Sequence, residues 1–432
     1  MFKSVFREGL IMKISIVGTG YVGLSTAVGF AIKGHDVTCI DVDRNKVALV
    51  NSGKAPFYEV GIEEGLQNAI KNGKLRATTD YSAVKDSEIT FICVGTPSDE
   101  TGKMDVSYVK TATESIAKVI ADKPYHVVVV KSTVVPGTTR DVVLPILKKH
   151  AATFGLCMNP EFLREGMALE DFLNPDRMVI GELDVKSGDM LMKAYQKFNA
   201  PFVRVPLSTA EMIKYASNTF LAARISLINE IGNACKKLGI DVYDVAHALG
   251  QDKRIGPHFL EAGIGFGGSC FPKDVSALMH KAEELGTGNE IMKAVLSVNA
   301  NQRKVIVDML KRRLSLKGAK IAVLGVAFKH DSDDVRESPA INVLRALKRE
   351  GADVWAYDPQ AMENAKKIAP EIKYASREKC LKDADACLLL TNWHEFRTME
   401  DKDFAVMKNK IIIEGRSILD RKKVSGYEGM CW

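Results

Sequence analysis

The run GFGGSCFPKD, residues 265–274, sets a single thiol, Cys270, among glycines and a proline, with Lys273 and Asp274 close behind. Pro272 suits the first turn of a helix that continues DVSALMHKAEELG, which puts Cys270 just before a helix N-terminus. The helix dipole favours a thiolate there, and a thiolate is a nucleophile. Gly267 and Gly268 leave bare backbone for a substrate to approach, and Asp274, four residues on, can face the same side. The plainer alternative is a small buried hydrophobe, which describes most cysteines. A second group is Gly18-Thr19-Gly20-Tyr21-Val22-Gly23, a G-x-G-x-x-G run followed by Asp41. Its glycines admit a pyrophosphate to the backbone, the helix start supplies positive field, and Asp41 accepts from a ribose hydroxyl. An acid at 41 also repels a 2′-phosphate, favouring NAD over NADP, with Lys46 nearby. Thr96-Pro97 and Ser132-Thr133, ending later strands, line the same crevice. A third group is Lys214 and Asn218, four apart on a helix with Glu211 on their side, in an apolar setting where a buried lysine needs a task or a partner.

The elements that must position these groups follow from the apolar pattern. From Lys13 the chain reads KISIVG, a glycine turn into TGYVGLSTAVGFAIKG, then HDVTCIDVD: one βαβ unit. Apolar runs at EITFICVGTP and HVVVVKST extend it, so about the first 200 residues read as a doubly wound parallel sheet. Ser208 and Glu211 form a Ser-x-x-Glu capping box opening a helix that runs to about Leu238, about 45 Å long and apolar on nearly every face. Helical signal continues to about Leu314. KIAVLGVAFKHDSDDVRESPAINVLRALKREGADVWAYDP then repeats the opening unit with a longer loop and ends its second strand at Asp358; NKIIIEGRSILD completes a smaller Rossmann-like domain. The expected organisation is a leader over residues 1–11, a cofactor domain over 12–207, a helical region carrying the cysteine loop over 208–314, and a second Rossmann-like domain over 315–432.

Composition narrows the function class. With 46% hydrophobic and 26% charged residues the 432-residue chain is globular, and no apolar run approaches the ~20 residues of a membrane helix. The net charge of +6 is scattered, which suits an anionic small molecule and not nucleic acid. Eight cysteines without a C-x-x-C pair point to a reducing cytoplasm with most thiols buried, and the eight histidines show no metal-ligand spacing. Glu161 and Glu165, four apart in NPEFLREG, would by themselves suggest a surface helix with an acidic first turn, and Lys329, Arg336 and Arg416 near strand ends of the second sheet could meet phosphate.

Taken in order, GTGYVG, CVGTP, KSTVVPGTT, NPEFLREG, the KYASN helix, RIGPHFLEAGIGFGGSCFPKD, LGVAFKHD and RES make the chain resemble the nucleotide-sugar dehydrogenases from Met12 to about Asp420. That resemblance implies NAD-dependent four-electron oxidation of a sugar C6 alcohol to a carboxylate by a homodimer, with GGSCFPKD looking like the UDP-glucose branch of the family. By residue match it implies Cys270 as the nucleophile forming a thiohemiacetal and then a thioester. Lys214 and Asp274 would hold water and stabilise alkoxide charge, Glu161 would act in thioester hydrolysis, and Thr133 and Asn218 would support them. Glu165, Lys273 and Arg336 would lie near the cofactor. The substrate would fall to Phe162, Leu163, Arg164, Phe259, Leu260, Gly263, Gly267, Lys329 and Arg416, and Arg254 would reach a neighbouring subunit's substrate. Alternatives are the same chemistry on a UDP-N-acetylhexosamine or GDP-mannose, a two-electron hydroxy-acid dehydrogenase, and a non-catalytic NAD-binding protein.

Overall fold

The structure, a computed structural model, describes residues 10–99 and 102–432. Most of the leader expected over residues 1–11 therefore lies outside the described residues; Leu10 and Ile11 are exposed. The chain divides into two compact units, one up to Ala216 and one over Ser217–Trp432.

Eight strands build the first unit: β1 Lys13–Val17, β2 Asp36–Ile40, β3 Leu75–Thr78, β4 Ile89–Ile92, β5 Val127–Val130, β6 Gly155–Met158, β7 Met178–Glu182 and β8 Phe202–Pro206. Their order is β3-β2-β1-β4-β5-β6-β7-β8. Continuous apolar strands need both faces covered, and all four valines of β5 are buried, each contributing about 2 kcal/mol. Around Phe30 a cluster of Phe91, Phe172, Tyr195 and Phe198 fills one side of this core. One pairing departs from the all-parallel expectation: β7 runs antiparallel to β6, and β8 then pairs parallel to β7.

The second unit holds β9 Lys320–Leu324, β10 Asp353–Tyr357, β11 Lys373–Tyr374, β12 Ala386–Leu389, β13 Ile412–Glu414 and β14 Glu428–Gly429, in the order β11-β10-β9-β12-β13-β14, all parallel. This is the winding of the first sheet again, as the sequence repeat implies. At matching places Gly18 N–H donates to Ile40 O and Gly325 N–H to Tyr357 O, both at 2.8 Å. The two acids at these strand ends differ in environment. Asp358 is fully buried and accepts from Val326, Ala327, Gln360 and Ala361 N–H groups and from Trp393 Nε1, so it is spent on holding its own loop.

Leu207–Leu238 is one helix of 32 residues, as the sequence predicts, but its start is not the expected capping box. The Glu211 carboxylate is turned to Gly137 N–H (2.5 Å) and Thr139 N–H (2.7 Å) instead of to Ser208. Burial pushes this carboxyl up, against the hydrogen bonds that hold it down. Nor are all faces of the helix covered: Phe220, Leu227 and Leu238 are exposed.

Candidate active site

In the first unit the fingerprint glycines open the helix Tyr21–Ile32, with Gly20 at its N-cap and Tyr21 and Val22 in its first turn. Gly18 has φ +97°, and a methyl group there would lie 2.7 Å from Cys93 O. Gly23 has no room either, its Cβ falling against Gly18 O, whereas Gly20 and Gly95 have nothing within 4 Å of a Cβ. Two of the glycines therefore serve the turn, while Gly20 and Gly95 present open backbone faces a cofactor can approach. Asp41 Oδ2 accepts from Thr19 N–H (2.7 Å) and Thr19 Oγ1 (2.6 Å), and Oδ1 from Asp43 N–H (3.0 Å). Burial works against its charge, but the Thr19 and Asp43 hydrogen bonds and nearby Lys46 bring the carboxyl below its ordinary range. As a carboxylate it keeps acceptor capacity for a ribose hydroxyl. Thr96 Oγ1 donates to Thr133 O at 2.8 Å, which brings these two strand-end residues together, and Pro97 O accepts from Asp105 N–H.

Beyond β6 the segment 159–167 is not the surface helix its acids suggest; helix begins only at Ala168. Glu161 is buried, accepts from Leu163 N–H (2.6 Å) and pairs with Lys214 Nζ at 3.0 Å, both side chains being about 5% exposed or less. The Phe162 ring lies 5.6 Å from Lys214 Nζ and 4.0 Å from the Arg177 guanidinium. Arg164 is committed to Asp171 at 2.6 Å on the surface, and Glu165 follows it on the same segment. The lysine that needed a partner has one, 53 positions away in sequence.

In the second unit Cys270 is the N-cap of the helix Phe271–Glu284, with Pro272 in its first turn. Of the eight cysteines seven are buried and Cys270 alone is partly exposed. Burial pushes the thiols of Cys93, Cys157 and Cys431 up to about 12 and that of Cys380 to about 11. Ser269 Oγ lies 3.6 Å from Cys270 Sγ. One turn into the helix, Asp274 is 1% exposed, accepts from Asn218 Nδ2 at 2.6 Å and pairs with Lys273 Nζ at 2.6 Å. The structure thus gathers Asn218, Lys273 and Asp274 at the helix start that carries the thiol.

The chain leading to Cys270 is held by buried polar side chains that sequence reasoning missed. Asn229 Oδ1 accepts from Gly263 N–H (2.7 Å), Gln302 Nε2 donates to Gly263 O (2.8 Å), and Asn299 takes both backbone groups of Phe266. Arg416 Nη2 donates to Gly265 O at 2.6 Å, and Gly267 has no room for a methyl, which would fall 2.3 Å from Glu337 O. Phe259 adopts φ +61° and Leu260 is buried. Arg336 is paired with Asp334 at 2.6 Å, and Lys329 lies on the loop after β9. Arg254 extends into solvent, 88% exposed, with Asp252 at 2.6 Å. The signal for the missed residues was a polar residue repeated on an otherwise apolar helix face, as at Asn299 and Gln302, but its partner could not be read from spacing.

Three family models match the chain in sequence: the NAD binding, central and UDP binding domains of the UDP-glucose/GDP-mannose dehydrogenase family, over residues 12–199, 208–301 and 322–421. The chain is 43% identical to the UDP-glucose 6-dehydrogenase AglM of Haloferax volcanii, covering 97% of this chain and 100% of that one. It is 42% identical to the UDP-glucose 6-dehydrogenase TuaD of Bacillus subtilis, over 96% and 92% of the two chains. A solved UDP-glucose dehydrogenase from Pyrobaculum islandicum superposes with a TM-score of 0.94 at 40% identity over 100% of both chains. A UDP-D-ManNAc dehydrogenase from Pyrococcus horikoshii superposes with a TM-score of 0.86 at 28% identity, covering 97% of this chain and 99% of that one.

Proposed function

The chain belongs to the UDP-glucose/GDP-mannose dehydrogenase family, and on that premise we propose that it oxidises the C6 alcohol of UDP-glucose to the carboxylate of UDP-glucuronate, a four-electron change. The observation that carries this reading is Cys270: the partly exposed thiol at a helix N-cap, with buried Asp274 and Asn218 one turn away. The division of labour largely follows the three expected segments, with most cofactor residues within 12–207, the thiol within 208–314 and the nucleotide-sugar residues extending into 315–432.

When bound, NAD would supply the oxidant, two molecules in succession each taking up one hydride. The residues that would hold it are Gly18, Gly20, Tyr21, Val22, Gly23, Asp41, Lys46, Thr96, Pro97 and Thr133, and Glu165, Lys273 and Arg336 are assigned to the cofactor as well. Loss of the C6 hydroxyl proton to a base and of the first hydride leaves an aldehyde at C6. The Cys270 thiolate adds to that carbonyl carbon, giving a thiohemiacetal whose oxygen takes a proton; loss of that proton to a base together with the second hydride leaves a thioester. Water then attacks the thioester carbon, its proton goes to a base, and the carboxylate and the thiol are released. Glu161 is the base or water positioner, because it is a buried carboxylate held by an ammonium and an N–H group. Lys214 and Asp274 hold water and stabilise alkoxide charge, with Asn218 and Thr133 in support. Phe162, Leu163, Arg164, Phe259, Leu260, Gly263, Gly267, Lys329 and Arg416 are assigned to the nucleotide sugar.

The protein is further proposed to be a cytoplasmic homodimer. Exposed Phe220, Leu227 and Leu238 fall on one face of their helix, which supports a partner there, and outward-pointing Arg254 is assigned to a neighbouring subunit's substrate. The eight cysteines include no C-x-x-C pair and seven of them are buried, which supports a reducing compartment. The test is the yield of NADH across a panel of UDP and GDP sugars. Two NADH per UDP-glucose consumed is expected, with Cys270→Ser unable to release uronate; one NADH per sugar, or normal uronate output from that variant, overturns the reading.

A further inference from the structure

Lys131, directly after β5, has no role in the chemistry described so far, yet its side chain is almost completely buried. Its Nζ donates to Asn159 Oδ1 at 3.0 Å and to Tyr195 Oη at 3.4 Å, while Tyr195 Oη donates to the same Asn159 oxygen at 2.7 Å. Asn159 Nδ2 donates to Val179 O and Asn159 N–H to Val130 O, so one side chain ties together the ends of β5, β6 and β7. The rings of Phe172 and Tyr195 lie 5.7 and 5.9 Å from the ammonium. Among the described residues no carboxylate lies within 4.0 Å of it. A buried cation with only neutral partners is costly, and a methionine of similar length would fill the space at lower cost. The charge must therefore be used.

The titratable groups facing it are Cys93, Glu161, Lys214 and Tyr195. Burial lowers the lysine to about 8, against the opposing pull of Cys93 and Glu161, while Lys214 lowers it further. A cation in that place attracts negative charge on the segment that carries Glu161. Asn159 is two residues before Glu161, and Lys131 two before Thr133, so the same network fixes the backbone of both.

We propose that Lys131 is a positioning residue of the hydrolytic step: with Asn159 and Tyr195 it anchors the turn that carries Glu161, and its charge acts on the carboxyl group that activates water. This rests on the role assigned to Glu161 above. The test is the pH dependence of uronate release by the wild type, Lys131→Met, Lys131→Gln and Glu161→Gln. Both Lys131 variants should move the acid limb of kcat upward by about one pH unit, with KM for UDP-glucose and NAD changed less than twofold. Lys131→Gln retains an N–H for Asn159, so it separates charge from hydrogen bonding and also reads the effect if Lys131→Met does not fold. A Lys131→Gln profile that superposes on the wild type overturns the proposal while leaving the role of Glu161 intact. Undiminished uronate release by Glu161→Gln overturns the role of Glu161 instead.

Discussion

Breaking the Glu161–Lys214 pair offers a quantitative test of how the first unit is held. The pair is 3.0 Å long with side chains 5% and 4% exposed, so solvent screens it little. At an effective dielectric near 20 the attraction is about 5 kcal/mol, from which the desolvation of both ions must be subtracted. Lys214→Met takes away the ammonium and leaves a buried carboxylate with Leu163 N–H as its hydrogen-bond donor. That imbalance costs about 3–5 kcal/mol, whereas losing both charges together costs far less. Urea denaturation of the wild type, Lys214→Met, Glu161→Gln and the double variant closes a cycle, followed by a probe in the first unit because the two units need not unfold together. The double variant is expected to be more stable than Lys214→Met, with a coupling of about 2–3 kcal/mol. Additive losses, with coupling below about 0.5 kcal/mol, would show that the two charges do not support each other and refute the reasoning.

Three other outcomes are expected. Gly18→Ala must adopt φ +97° with its methyl 2.7 Å from Cys93 O, so it should lose about 1–3 kcal/mol and weaken NAD binding, measured by thermal unfolding and NAD titration. Gly267→Ala should distort the approach to Cys270, its methyl lying 2.3 Å from Glu337 O and 2.7 Å from Pro339 Cδ; unchanged melting and turnover would contradict the close fit. Burial, then Lys123, lowers His126 to about 3, and burial with Lys197 lowers His35 to about 4. Because both folded values lie below the unfolded 6.5, the unfolded state takes up protons first as pH falls. Stability is therefore lost from about pH 6.5 downward, with His126 accounting for about 2 kcal/mol by pH 5. His126→Gln should remove that share of the acid sensitivity in denaturation curves at pH 7 and 5, and an unchanged pH slope would exclude it.

Several features were legible in the sequence because local spacing determines them. A glycine pattern between an apolar strand and an apolar helix announces the turn at Gly18–Gly23, since only glycine tolerates the positive φ and the close backbone packing there. Pro272 and the helical run after it announce Cys270 as a helix N-cap, because proline suits only the first turn. The recurrence of strand, helix and strand ending in an acid announced the second winding.

Tertiary structure decided which partners those residues meet. Nothing in the spacing distinguishes Asp41, which keeps acceptor capacity, from Asp358, saturated by five donors including the distant Trp393. Glu211 looked like the far half of a capping box until Gly137 and Thr139, more than 70 positions earlier, took both its oxygens. Two acids in NPEFLREG read as the first turn of a surface helix, yet one is buried against a lysine on another element. The antiparallel β7 and the meeting of Lys131, Asn159 and Tyr195 likewise depend on which strand ends lie side by side. Period and turn chemistry act over a few residues and are written along the chain, whereas the pairing of buried charges and polar groups is settled only when packing brings distant segments together and denies them water.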